Sequence, residues 1–242
     1  MTPAPLTADA LTVKVFADGG DLESIRTVAA NPLVQGFTTN PTLMRQAGVA
    51  DYRAFAREVI EEIGDRPISF EVFSDDFDDM ERQALEISSW GENVYVKIPV
   101  TDCRRGSAEK LVTRLAEQDV KVNVTALMTL DQVRVMSDCL AGGPGAYVSI
   151  FAGRIADTGR DPLPVMAAAL ALVEPYRNIE VIWASPREVL NVVQAAAVGC
   201  HVITVTHDVL RKLTTLGKDL GDFSLETVQM FRDDAVAAGY QL

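Results

Sequence analysis

The chain has 242 residues and a formal net charge of −12, with 48% hydrophobic and 23% charged residues. That length suits one large domain whose core removes roughly 70–75% of the unfolded surface from water, and the composition is that of an ordinary soluble globular protein. The acidic balance argues against nucleic acid and anionic membrane as partners, so an anionic substrate has to be met by a local basic pocket.

The first five residues, Met1-Thr2-Pro3-Ala4-Pro5, lack a basic region followed by an apolar run, so no signal peptide is expected. No apolar run approaches the roughly 18 residues of a membrane span. Cys103, Cys139 and Cys200 stand in unrelated contexts without metal-ligand spacing, which fits reduced thiols in a cytoplasm. His201 and His207 are too few for a His-rich metal site, and the sequence calls for no cofactor.

In chain order, an arm over residues 1–11 precedes a first strand at 12–18. A helix at 21–30 leads to a second strand at 34–39. Asn40 then reads as a helix N-cap with Pro41 at the first helical position. A helix at 51–63, a third strand at 68–73 and an acidic helix at 76–90 follow. The fourth strand, within 93–101, carries Lys97. A helix at 107–118, a fifth strand at 120–125 and a helix at 130–140 come next. Gly142-Gly143-Pro144-Gly145 reverses the chain into a sixth strand at 146–151. The pattern continues with a helix at 163–176, a seventh strand at 179–184, a helix at 186–197 and an eighth strand at 201–205. Helices at 208–216 and 225–238 close it, the second inside a tail over 223–242 that could cover the barrel or reach a neighbouring subunit. Eight strands alternating with helices, at about 25–30 residues per unit, predict a single-domain (β/α)8 TIM barrel.

In such a barrel one face of each strand packs on helices and the other faces the axis, with active sites at the C-terminal strand ends. Val13, Val15 and Ala17 alternate with Lys14, Phe16 and Asp18. Ile68, Phe70 and Val72 alternate with Ser69, Glu71 and Phe73. Val94, Val96 and Ile98 oppose Tyr95 and Lys97. Val120, Val122 and Val124 oppose Lys121, Asn123 and Thr125, and Val148 and Ile150 oppose Tyr147, Ser149 and Phe151. The polar set therefore faces the axis. Lys14 and Lys121 share that face but stand at strand starts, where their ammonium groups reach water below the barrel. Asp18, Glu71, Lys97, Asn123, Thr125, Ser149 and Phe151 stand at or near the C-terminal ends and converge on one cavity.

A lysine on a packed strand either keeps its head in water or is buried at a cost of several kcal/mol unless something offsets it. A buried amine beside carboxylates suits imine chemistry on a carbonyl substrate, with the protonated imine as the electron sink for carbon–carbon cleavage and the carboxylates as proton carriers. Several candidates have a second reading. Asp18 could cap the following helix. Asn40 could be an N-cap alone, its side chain serving one role fully. Thr125 and Ser149 could be core hydroxyls bonded to backbone. Arg154 and Arg187, after the sixth and seventh strands, could form a bidentate phosphate site or be solvated surface groups. Thr206 and His207, after the eighth strand, are weaker candidates.

The segments Gly36-Phe37-Thr38-Thr39-Asn40-Pro41-Thr42, Val96-Lys97-Ile98-Pro99-Val100-Thr101, Asn123-Val124-Thr125 and Ser149-Ile150-Phe151-Ala152-Gly153-Arg154-Ile155 carry a resemblance. From Val13 onward the chain resembles the transaldolase family, class I Schiff-base enzymes of the pentose phosphate pathway, and their relatives the fructose-6-phosphate aldolases. The resemblance implies that Lys97 forms the imine and that Asp18 is the acid/base on the hydroxyl at the cleaved bond. Glu71, through a water held by Thr125, would handle protons during imine formation and loss. Thr39, Asn40, Asn123, Ser149 and Phe151 would line the substrate site, with Asn40 and Asn123 holding the dihydroxyacetone hydroxyls. Arg154, Ser185 and Arg187 would bind the phosphate. The donor would be sedoheptulose 7-phosphate or fructose 6-phosphate, the acceptor an aldose phosphate, and the assembly a homo-oligomer.

The aldolase relatives carry Gln where this chain has Glu71 and Tyr where it has Phe151, so the resemblance favours group transfer over simple aldol cleavage. The aldolase reading and a non-catalytic sugar-phosphate-binding barrel are the alternatives. The chain departs from the family pattern in its shorter length, in Gly19 where a hydroxyl residue usually follows the aspartate, and in Pro186 where an aromatic is common.

Overall fold

Eight short strands joined through helices bring residues from the whole chain to one rim. The computed structural model describes residues 7–241, so most of the expected N-terminal arm lies outside the described residues; a single 3-10 turn at Ala8–Ala10 precedes the first strand. The strands are β1 (Lys14–Asp18), β2 (Val34–Thr38), β3 (Ile68–Glu71), β4 (Val94–Pro99), β5 (Val122–Leu127), β6 (Ala146–Ile150), β7 (Ile179–Trp183) and β8 (Val202–Thr206). Every neighbouring pair is parallel, and β8 returns to β1, closing the (β/α)8 barrel.

The helices are α1 (Leu22–Ala29), α2 (Pro41–Gln46), α3 (Tyr52–Ile63), α4 (Phe77–Ser88), α5 (Glu109–Glu117), α6 (Leu130–Leu140), α7 (Ala152–Asp157), α8 (Leu163–Val173), α9 (Leu190–Ala197), α10 (His207–Lys212) and α11 (Leu220–Ala237). Asp21, Asn40, Asp51, Asp76 and Asp219 cap five of them, each side chain accepting from a backbone N–H of the first turn. Thr129 and Gln132 form a capping box on α6. No helix among the described residues is long and apolar enough to cross a membrane.

Several elements differ from the expected pattern. α7 was not anticipated: it has six residues, contains Gly153, starts directly after Phe151 and lacks a side-chain cap. α9 begins at Leu190 rather than at Pro186. α11 begins at Leu220 because Asp219 caps it there. No residue of α11 is buried within the chain, and Leu220 and Val236 are 81% and 71% exposed. The helix thus adds nothing to the barrel core.

The strand faces pack as their alternation predicts. Val15, Phe70, Val96, Ile98, Val122, Val124, Val148 and Ile150 face the helices in one continuous apolar layer. Phe16, Tyr147, Ile182 and Val202 fill the lower and middle barrel interior, with Ala184 joining the cluster just beyond the end of β7 and Phe16 edge-on to Tyr147 at 5.8 Å. Lys14 pairs with Glu180 at 2.7 Å and Lys121 donates to the Glu92 carbonyl at 2.6 Å, both at the N-terminal end and solvent-accessible. A polar layer is left at the opposite rim.

β5 gains its length from a bulge. Val124 pairs with Val148 and Leu127 with Ile150, so an extra residue is accommodated on β5, and Ala126 adopts φ 64°. Bulges of this kind re-aim neighbouring side chains, here Thr125.

Gly36 on β2 is the register partner of Phe16 on β1, whose ring lies against it, and a Cβ there would lie 2.5 Å from Phe16 Cζ. Phe16 is wedged among packed neighbours and cannot yield. Gly36→Ala is expected to destabilise the barrel by roughly 1–3 kcal/mol through overpacking, seen as a lower urea midpoint with an unchanged m-value.

Candidate active site

The C-terminal rim of the barrel gathers one ammonium and two carboxylates. Register sets this arrangement: Glu71 stands beside Lys97 across β3 and β4, and Lys97 beside Asn123 across β4 and β5. Lys97 is 7% exposed. Its Nζ lies 3.0 Å from Glu71 Oε2 and donates to the Thr39 carbonyl at 2.9 Å. The closed barrel has no edge at which this side chain could reach water sideways.

Asp18 ends β1 on the same axis. Its Oδ1 accepts from Thr38 Oγ1 at 2.8 Å and its Oδ2 accepts from Asn40 Nδ2 at 3.0 Å. Thr38 Oγ1 also lies 2.7 Å from Thr204 Oγ1, so the two hydroxyls can pass a hydrogen-bond chain to the carboxylate. Burial pushes the Asp18 carboxyl above the usual range. Lys97 and the donors from Thr38 and Asn40 oppose that rise, while the charge of Glu71 adds to it.

Asn40 corrects the expectation that its side chain serves one role. Oδ1 caps α2 by accepting from Leu43 N at 2.9 Å, while Nδ2 holds Asp18. The two ends of one amide do both. Asp18 itself caps nothing; Asp21 caps α1. Asn123 is buried, donating to Ser69 Oγ at 2.9 Å and accepting from Ser149 Oγ at 2.7 Å. Thr39 turns its hydroxyl to the Ser69 carbonyl at 3.0 Å, and its own carbonyl meets Lys97. Thr125 Oγ1 is buried and makes no hydrogen bond to a described protein group. Phe151 packs on the interior aromatic cluster at the start of α7.

Arg154 and Arg187 are exposed at the same rim. Arg187 Nε donates to Asp157 Oδ1 at 3.1 Å, and its Nη2 pairs with Asp157 Oδ2. A half-exposed pair of this kind contributes little and can exchange for another anion. Ser185 adopts φ 59°, and a Cβ on Gly153 would fall 1.6 Å from the Ser185 carbonyl oxygen and 3.2 Å from Arg187 Nε. The turn of α7 carrying Arg154 is thus pressed against the loop carrying Ser185 and Arg187. Burial holds the His207 imidazole, at the start of α10, below its ordinary pKa, and its Nε2 has no partner among the described residues.

Residues 15–241 match the model of the transaldolase/fructose-6-phosphate aldolase family. The chain belongs to that family. A probable transaldolase of Thermoanaerobacter sp. (strain X514) is 34% identical over 95% of this chain and 100% of its own length. One from Methanococcus maripaludis (strain C7) is 36% identical over 83% of this chain and 89% of its own. Among solved structures, a protein from Pediococcus acidilactici described as a lactate oxidase superposes with a TM-score of 0.57 at 18% identity, covering 86% of this chain and 66% of its own. One from Burkholderia cenocepacia J2315 described as a lyase/mutase gives 0.57 at 15% identity, covering 92% and 84%. At such identities these two speak for the barrel alone.

Thr38, Ser69, Thr204 and Tyr52 were not among the expected site residues. Ser69 lies on the axial face that alternation identifies, and the same test extended to β2 and β8 would have found Thr38 and Thr204. Tyr52 reaches β3 from α3 and left no local signal.

Asp18 gives this site a distinctive pH signature. Its folded pKa lies above the ordinary 3.8, so in that window the folded state binds more protons than the unfolded chain. Its contribution to stability is therefore least unfavourable below 3.8 and worsens as pH rises through the folded value. Asp18→Asn is expected to remove that decline, so variant and wild-type urea midpoints measured from about pH 4 to about pH 8 diverge in favour of the variant as pH rises.

Proposed function

We propose that the protein is a transaldolase that moves a dihydroxyacetone unit from a ketose phosphate to an aldose phosphate through an imine on Lys97. The donor would be sedoheptulose 7-phosphate or fructose 6-phosphate. The observation that carries this reading is the 3.0 Å contact between Lys97 Nζ and Glu71, buried in a closed barrel whose rim also holds Asp18. An amine that must shed a proton before it can attack has a carboxylate within reach to take it.

The amine adds to the donor ketone, and the carbinolamine loses water to give a protonated imine. Glu71, with a water on the Thr125 hydroxyl, carries the protons of these steps. Asp18 then takes the proton from the hydroxyl on the far carbon of the bond to be broken, the carbon that becomes the aldehyde. That bond's electrons flow into the imine, leaving an enamine on Lys97 and a free aldehyde. In the reverse direction the enamine adds to the acceptor aldehyde, Asp18 returns its proton, and hydrolysis frees Lys97.

Burial suits Asp18 to this role, because a carboxylate whose proton affinity is raised is a better base. Asn40 and Asn123 each keep an N–H free for the dihydroxyacetone hydroxyls. Thr39, Ser149 and Phe151 shape the three-carbon site. Arg154, Ser185 and Arg187 hold the phosphate, with Arg187 exchanging Asp157 for it. No metal or cofactor enters this scheme. Phe151 places no hydroxyl beside the proton-carrying water, which favours passing the enamine to an aldose phosphate over releasing dihydroxyacetone. We read the chain as one barrel domain with a C-terminal helix, a homo-oligomer at work in a reducing cytoplasm, in keeping with free Cys103, Cys139 and Cys200.

Borohydride reduction in the presence of fructose 6-phosphate is expected to leave a three-carbon adduct on Lys97, found by peptide mass spectrometry, and Lys97→Met is expected to give neither adduct nor turnover. Absence of any Lys97 adduct would sink the imine mechanism. Phe151→Tyr is expected to raise dihydroxyacetone release relative to transfer in a coupled assay run with and without an aldose phosphate acceptor. An unchanged ratio would count against the role given to Phe151.

A further inference from the structure

The third strand loses its neighbour just where its most important residue begins. In β3 the backbone groups alternate sides. Ile68 and Val72 donate to Asn93 and Lys97 on the β4 side, at 3.0 and 3.2 Å. Pro67 and Ser69 face β2, accepting from Phe37 and Thr39 at 2.8 and 3.0 Å. Glu71 is next in the second series. The ladder to β2 has ended by then, because the chain turns at Asn40 into α2. The N–H and C=O of Glu71 therefore point at a gap in the sheet.

The Tyr52 hydroxyl occupies that gap. It accepts from Glu71 N at 3.0 Å and donates to Glu71 O at 3.2 Å, so one phenol replaces both bonds of the missing strand. Tyr52 is the first residue of α3, fixed by the Asp51 cap. Its ring is held edge-on by Phe70 at 5.9 Å and Trp90 at 5.4 Å, and tilted against Phe73 at 4.5 Å. The three rings already provide the packing, and the hydroxyl adds only the two bonds to Glu71.

We propose that Tyr52 is a positioning residue that acts through Glu71, fixing the backbone from which its carboxylate reaches Lys97. The proposal rests on the reading of Glu71 as the proton carrier of imine formation. A side chain anchored on an unpaired strand end would sample positions in which the 3.0 Å contact to Lys97 is broken, and displacements of about an ångström in a catalytic group cost up to a hundredfold in rate.

Four enzymes test it: wild type, Tyr52→Phe, Glu71→Gln and the double variant, each rate normalised to sites titrated by borohydride trapping. Tyr52→Phe keeps the ring contacts and removes only the hydroxyl. It is expected to lower kcat by roughly ten- to hundredfold, to leave KM within about twofold, and to slow single-turnover imine formation in parallel. In the Glu71→Gln background the same change is expected to cost nothing further. A purely structural role would lower the melting temperature and the titratable fraction while leaving kcat per site intact, and that result overturns the proposal. So do multiplicative losses in the double variant. An impaired Glu71→Gln beside an unimpaired Tyr52→Phe overturns the proposal alone; an unimpaired Glu71→Gln overturns the reading of Glu71 and the proposal with it. Should Tyr52→Phe fail to fold, hydrogen exchange on the wild-type enzyme decides. The Glu71 amide is expected to be protected as strongly as that of Val72, and free exchange at Glu71 overturns the proposal.

Discussion

An ammonium group taken out of water has to be given back its hydrogen bonds and a countercharge, or it loses its proton. Most of the upper barrel can be understood as the answer to that demand at Lys97. Glu71 supplies the countercharge and the Thr39 carbonyl a hydrogen bond. The carbonyl is available because β2 ends there and turns into α2. Closure of the sheet removes the alternative of a side exit to solvent, and Phe16, Tyr147 and Ile182 fill the space below. Lys14 and Lys121, on the same face at the other end, meet no such demand and stay wet.

The two carboxylates beside Lys97 are held in different ways, and the difference suits two different tasks. Glu71 touches the ammonium directly. Asp18 is held by a hydroxyl and an amide, and burial raises its affinity for a proton. Thr204 extends the set by bonding Thr38, which places a string of hydroxyls from mid-barrel to the rim.

Much of this was legible in the sequence because a period-two pattern puts side chains on one face or the other without reference to the rest of the fold. Five strands gave the axial set that way, including Asp18, Glu71, Lys97, Asn123 and Ser149. What escaped lacked such a local signature. β2 carries Gly36 on its axial face, so its alternation is faint, and Thr38, though placed in the second strand, was not assigned to that face. α7 is too short for a helical period to show, and Gly153 lowers its propensity further. The extension of β5 depends on a left-handed alanine, which residue type does not announce. Asn40 was read as a cap, correctly, but the second hydrogen bond of its amide depends on where Asp18 arrives from another part of the chain.

The fit of Gly153 against the Ser185 carbonyl has a mechanical consequence. No side chain separates the α7 turn from the loop after β7, so main chain rests on main chain. The gap between the Arg154 and Arg187 backbones is consequently fixed by covalent geometry and atomic radii, with no rotamer able to adjust it. The two loops shift together or not at all, and a lengthened or shortened loop at either place would carry the other arginine with it. The guanidinium groups beyond those backbones stay free to turn, so an anion held there would be met by flexible arms on shoulders of set spacing.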